Sequence, residues 1–258
     1  MLMSKYLVFL LSGLWPFYAR TQTVAEQFEA LNGRQVYIAW KGEIHGKPVP
    51  VLLALHGSGR SAESYAPGSS QSVPFYVRQR DLALQAGYLF VSISNGKDTW
   101  GTDEGMNAIL DLVRFVRKEY EVKEKWTLWA SSAGGAMLGR IVRYHPDLVD
   151  KALGTFPVYD LNDSYQNLKS ARQAWTSPEA FSKIDPSGYP DAFVKIPYLV
   201  FHGSDDKAVP LDKHSERLRK EVNALGGKVS LEVVGGGHST QNFNLYDDDL
   251  ILKFLDAP

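Results

Sequence analysis

Residues 126–144 read WTLWASSAGGAMLGRIVRY, and this stretch decides the fold. Trp126 to Ala130 is a short run of bulky apolar residues, the composition of a strand buried on both faces. Ala133 to Tyr144 carries apolar residues at helical spacing. A strand that turns sharply into a helix exposes a serine hydroxyl at the turn and crowds the residues two before and two after it, so both must be small. Around Ser132 these are Ala130 and Gly134, alanine standing where glycine is usual. Centring the turn on Ser131 would put Trp129 at a small position, which its size forbids. Taken alone, the pattern occurs often by chance and fits a helix N-cap serine better.

On either side of this turn, short apolar runs alternate with helical patterns. Gln35 to Trp40 alternates with period two and suits an antiparallel strand at a sheet edge. Pro50 to His56 and Tyr88 to Ile93 are continuous apolar runs, as buried strands are. Pro74 to Ala86 reads as a helix with Pro at its start and Gly87 just past its end. Asp103 to Tyr120 sets Met106, Ile109, Leu110, Val113, Val116 and Tyr120 on one stripe of an amphipathic helix. Lys151 to Val158, Pro197 to Phe201 and Val229 to Val234 read as further strands, with helices over Lys213 to Leu225 and Leu245 to Leu255. Repeated alternation of this kind predicts an α/β domain over residues 33–258, a mainly parallel central sheet with helices on both faces. Asp160 to Lys195 breaks the rhythm. With Tyr165, Trp175, Phe181 and Tyr189 among polar residues, it reads as a small lid or as an ordinary helix with a meandering loop.

Two more loops follow strands and carry reactive side chains. His202-Gly203-Ser204-Asp205-Asp206-Lys207-Ala208-Val209-Pro210 comes after the strand ending at Phe201, and Gly235-Gly236-Gly237-His238 after the strand ending at Val234. Adjacent acids in a turn are ordinarily solvated, and a lone loop histidine is ordinarily a bystander. Together with Ser132, however, they give the order Ser, Asp, His, each at the carboxyl end of a strand, where open α/β sheets place their sites.

The elbow around Ser132, the HG-x-x-D-x-x-VP segment and the terminal GGGH resemble the α/β-hydrolase family from Gln35 to the C-terminus. The C-terminal half is also similar to the catalytic domain of prolyl oligopeptidases. The resemblance implies Ser132 as nucleophile, His238 as general base and Asp206 as the acid that orients it; Asp160 is the alternative acid, following an earlier strand. It further implies an oxyanion loop at His56-Gly57-Ser58-Gly59, with the backbone N–H groups of Ser58 and Ala133 as donors and with His56 and His202 structural. A serine hydroxyl is a weak nucleophile unless a base removes its proton as it attacks. Histidine is suited to that exchange at neutral pH, and a carboxylate behind it fixes the tautomer. The expected reaction is acyl transfer to water from a small-molecule carboxylic ester. The alternatives are peptide cleavage and a catalytically silent binding protein on the same fold.

Composition narrows the classes further. Lys plus Arg (28) against Asp plus Glu (29) leaves a formal charge of −1, which argues against a nucleic-acid binder built on a basic surface. With no cysteine there is no disulfide, thiolate metal site or Cys nucleophile. No cofactor or metal is expected, and His45, His145 and His214 read as surface or packing residues. Lys97, in the glycine-rich loop Asn95 to Gly105, lacks P-loop spacing. Asp247 to Asp249 reads as a helix start, and Trp100 either lines a substrate cleft or covers the sheet. Lys5 followed by the uncharged run Tyr6 to Ala19 is too short to span a bilayer and reads as a signal peptide over residues 1–25, cut after Ala25. That reading places the mature protein outside the cytoplasm, secreted or periplasmic, without a stable membrane anchor. A membrane-anchored or cytoplasmic protein keeping this segment is the alternative.

Overall fold

The computed structural model describes residues 23–44 and 46–257, so most of the segment read as a signal peptide, together with His45, lies outside the described residues. Strands β1 (Val24–Leu31) and β2 (Arg34–Lys41) form an antiparallel hairpin. β3 (Val51–Leu55), helix α1 (Pro74–Gln85), β4 (Leu89–Ile93), α2 (Asp103–Glu119), β5 (Trp126–Ser131) and α3 (Gly134–Tyr144) follow. After β6 (Val149–Thr155) come the short helices α4 (Leu161–Asn167), α5 (Lys169–Ala174) and α6 (Pro178–Phe181). β7 (Tyr198–Gly203), α7 (Ser215–Ala224), β8 (Val229–Val234) and α8 (Asp248–Asp256) end the series. One eight-stranded sheet results, in the order β1-β2-β4-β3-β5-β6-β7-β8. β3 to β8 run parallel, and β2 pairs antiparallel with β4.

Alternation along each strand builds the two sides of the core. In β3, Val51, Leu53 and Leu55 join one apolar cluster, while Leu52 and Ala54 join the other on the opposite face. The first cluster is closed by Ile109, Leu112 and Val116 of α2, Met137 and Ile141 of α3, and Leu218 and Val222 of α7. The second is closed by Phe75, Tyr76 and Leu82 of α1 and by Ile251 and Leu255 of α8. Each such side chain contributes about 1.5–3 kcal/mol on full burial. The parallel sheet with helices on both faces is thus present as expected.

Three local expectations need correction. β2 is not the sheet edge, and the sheet begins at Val24, ahead of residue 33. β1 covers β2 along its whole length, pairing Val24 with Lys41 and Leu31 with Arg34. It was hidden because its own residues are exposed or half-buried, so VAEQFEAL lacks a strong apolar alternation. On α2, Leu110 and Tyr120 are only partly buried and Leu112 lies fully inside. The helix stops at Glu119, leaving Tyr120 as an extended cap. Thr102 starts it by accepting the Gly105 N–H, with Asp103 and Glu104 in the first turn and Arg117 and Lys118 in the last, signs that favour the helix dipole. Finally, α8 starts at Asp248, where the Asp247 carboxylate accepts the Leu250 N–H, so Leu245 belongs to the turn before it.

Residues 160–195 form α4 to α6 and two short 3₁₀ turns. Leu161, Ala171, Phe181 and Ile184 close a third apolar cluster over Trp100, Ala133 and Ala136. Trp100 is therefore a buried packing residue, and the Trp175 indole N–H donates to its carbonyl. No helix among the described residues is long and apolar enough to cross a membrane.

Candidate active site

The turn between β5 and α3 takes the shape its residues dictate. Ser132 sits at φ 51°, in the left-handed region that a non-glycine residue occupies only at a cost. The surrounding backbone holds it there: the Ser132 N–H donates to the Thr155 carbonyl at 3.2 Å, and its own carbonyl accepts N–H groups of Gly135 and Val158, each at 2.9 Å. A Cβ on Gly134 would collide with the Leu55 carbonyl at the end of β3, which is why the position after the elbow must be small. Ser131, by contrast, is fully buried, with its hydroxyl 2.6 Å from the Thr155 hydroxyl and accepting from Gln79. It belongs to the sheet.

The loops after β7 and β8 are pressed together. A Cβ on Gly203 would strike the Gly236 carbonyl, and the Asp205 N–H donates to that same carbonyl at 3.0 Å. This contact brings His238 beside Asp206, with His238 Nδ1 2.7 Å from Asp206 Oδ2, and turns Nε2 towards Ser132 Oγ at 2.9 Å. Asp206 Oδ1 accepts the N–H groups of Ala208 and Val209 at 2.9 and 2.8 Å. Burial works against the charge on Asp206, but hydrogen bonds from His202, His238 and the Val209 N–H outweigh it, so its pKa lies well below the usual carboxylate range. An ionised carboxylate only accepts, so Nδ1 of His238 carries the hydrogen and Nε2 is free to accept from Ser132. Asp205 is exposed. Asp160 is elsewhere: it caps α4 through the Asp163 N–H and pairs with Arg217 at 2.6 Å.

The other described histidines have packing roles. His56 is buried, accepts the Asn95 N–H at Nε2 and faces the Gly57 carbonyl from Nδ1; burial lowers its pKa to about 4. His214 accepts the Tyr159 and Asp160 N–H groups at Nδ1 and is likewise lowered to about 4, chiefly by burial. His145 caps the end of α3. Among the described residues no group of three or more His, Asp or Glu side chains is placed to hold a metal ion.

A cavity of about 250 Å³ opens on Ser132 and His238. Gly57, Ser58, Arg60, Tyr76, Phe156, Ser239 and Thr240 line it as well. The Phe156 ring lies 4.2 Å from that of His238, centroid to centroid. No residue of 160–195 lines this cavity. Among the described residues, the backbone N–H groups of Ser58 and Ala133 donate to no protein acceptor. Sequence reasoning missed Arg60, Tyr76 and Phe156 as cavity residues. Arg60 directly follows the HGSG loop, a signal that was available; Tyr76 and Phe156 reach the cavity only through helix and strand packing.

The parallel sheet, its antiparallel leading hairpin and a left-handed serine between β5 and α3 define an α/β-hydrolase. Residues 93–257, more than half of the chain, match the prolyl oligopeptidase family, and the chain belongs to that family of serine hydrolases. No match was found among curated proteins. Among solved structures, the chain is similar to S-formylglutathione hydrolase from Staphylococcus aureus, with TM-score 0.72 and 14% identity, over 92% of this chain and 99% of that one. A ferulic acid esterase gives TM-score 0.68 and 15% identity over 92% and 98%. The acylaminoacyl peptidase of Pyrococcus horikoshii gives TM-score 0.68 and 18% identity over 93% of this chain but 42% of that one. At these identities the likeness is one of fold.

Proposed function

We propose that the protein hydrolyses small carboxylic esters through Ser132, His238 and Asp206. Ser132 Oγ attacks the ester carbonyl carbon as its proton passes to His238 Nε2. The carbonyl oxygen becomes an oxyanion held by the N–H groups of Ser58 and Ala133, each donor of this kind lowering the barrier by roughly 3–4 kcal/mol. Collapse of the tetrahedral intermediate breaks the bond to the leaving alcohol, which takes the proton from Nε2 and leaves an acyl-serine. Water repeats the sequence, giving its proton to Nε2, and the acid departs as Ser132 Oγ recovers the hydrogen. Asp206 stays ionised throughout and stabilises the imidazolium.

The observation that carries this reading is the unbroken chain from Ser132 Oγ through His238 to Asp206, with contacts of 2.9 and 2.7 Å. The cavity at Ser132, about 250 Å³, has room for a small acyl or alcohol group, which supports a small ester. The fold neighbours matched over nearly their whole length, an S-formylglutathione hydrolase and a ferulic acid esterase, also act on esters or thioesters by name. A panel of p-nitrophenyl esters run beside peptide p-nitroanilides tests the choice: ester turnover abolished by Ser132→Ala is the expected result, and amide turnover exceeding it would favour the peptidase.

A further inference from the structure

We propose that Arg60 selects esters bearing an anionic group, a carboxylate or its equivalent, close to the scissile carbonyl. The inference rests on the reading of Ser132 as nucleophile. Arg60 is half-buried in the cavity wall, and among the described residues its side chain has neither an ion-pair nor a hydrogen-bond partner. Of the other buried or half-buried arginines, Arg34 pairs with Asp98, Arg80 with Glu26 and Asp81, Arg140 with Asp103 and Arg217 with Asp160 and Glu221, while Arg143, without an ion pair, lies over the Tyr144 and Tyr189 rings. The turn after β3 fixes the Arg60 backbone, its N–H donating to the Gly57 carbonyl at 3.3 Å, on the loop that supplies Ser58. Arg60 and Tyr76 line the same cavity.

Among the described residues, no acidic side chain lines the cavity to balance this cation. The Asp206 carboxylate has no exposure and is taken up by its own donors. The free N–H groups of Ser58 and Ala133 and the positive end of α3 also favour negative charge in this site. A neutral substrate would leave the guanidinium without a counter-charge beside a partly desolvated group. A carboxylate would meet a planar fork of donors in a site that already favours negative charge.

The anion can sit on either side of the scissile bond, and two substrate series separate the cases. For the acyl side, p-nitrophenyl half-esters of succinate, glutarate and adipate are each compared with the corresponding methyl ester after subtraction of the enzyme-free rate. For the leaving group, 3-acetoxybenzoate is compared with methyl 3-acetoxybenzoate. The readout is the ratio of kcat/KM for the anionic substrate to that of its neutral partner. The wild-type ratio is expected to exceed about tenfold in one series and to shrink at high salt. Arg60→Gln is expected to lower it at least tenfold, Arg60→Lys to keep part of it, and Arg60→Glu to reverse it. A wild-type ratio at or below one in both series, or a ratio unmoved in Arg60→Gln, overturns the role of Arg60 while leaving the hydrolase reading intact. No turnover of any ester, with no fluorophosphonate adduct, overturns the hydrolase reading and this inference with it.

Discussion

His202 and Asp206, both without side-chain exposure, face each other across 3.3 Å from Nε2 to Oδ2. The same Nε2 lies 2.8 Å from the Val209 carbonyl, which can only accept, so Nε2 carries the hydrogen and Nδ1 takes the Ser215 hydroxyl at 2.6 Å. His202 thus presents a fixed N–H to the carboxylate that holds His238. With the Ala208 and Val209 N–H groups and His238 itself, Asp206 is surrounded by donors.

Asp206→Asn replaces this acceptor with a group that favours the wrong tautomer of His238, and is expected to lower kcat by about 10⁴-fold. Asp205→Asn, at an exposed position, is expected to cost less than about tenfold. Steady-state kinetics on one p-nitrophenyl ester compare them directly. An exchange of the two phenotypes would make Asp205 the acid.

Ser132→Ala is expected to fold and to lose roughly 10⁴–10⁶-fold in activity, whereas Ser131→Ala is expected to act on stability through the lost Thr155 and Gln79 contacts. Circular dichroism melts run beside kinetics separate these effects. Retained turnover in Ser132→Ala, with contamination excluded, would remove it as nucleophile.

For the wild type, kcat/KM is expected to rise with pH, because only a neutral imidazole accepts hydrogen from Ser132. A rate profile flat from pH 5 to 9, with the protein folded throughout, would count against His238 as base.

The meeting of Ser132, Asp206 and His238 was legible because each rests on local residues with steric or chemical demands: Ala130 and Gly134 about Ser132, Asp206 at its place in the HG-x-x-D-x-x-VP segment, the glycines before His238. What was not legible depends on packing between distant segments. β1 borrows its order from β2, to which it pairs along its whole length, and its half-exposed residues leave no apolar pattern to read. Phe156 reaches His238, at φ 42°, only because β6 lies next to β5 and β7. The aromatic residues of 160–195 left a lid and an ordinary helix with a loop equally open from sequence; Phe181 and Trp175 pack against Trp100, a contact between distant segments.

Buried neutral histidines make stability fall in mild acid. His56 and His214 have folded values of about 4 against an ordinary 6.5. Above pH 6.5 both are neutral folded or unfolded. Between about pH 6.5 and 4 the unfolded chain binds a proton at each and the folded chain does not. Each histidine therefore contributes a decline of up to about 1.4 kcal/mol per pH unit across that window. Urea unfolding at pH 7, 6 and 5 is expected to show it, with a shallower slope in His214→Gln. An unchanged slope in that variant would contradict the assignment.

The N-terminal segment is expected to be removed on export, leaving a mature chain that begins near residues 22–26. Because β1 pairs from Val24 onward, a start at or before Val24 keeps the whole strand. Intact mass of protein recovered from a secreting host gives the answer, and a soluble cytoplasmic product retaining residues 1–19 would refute export.

The most direct measurement is peptide-mapped mass spectrometry after reaction with a fluorophosphonate. The account predicts a single stoichiometric adduct on Ser132, formed quickly by the wild type, slowly by His238→Ala and not at all by Ser132→Ala. An unmodified wild-type protein that is demonstrably folded, or an adduct that persists at another residue in Ser132→Ala, would contradict it.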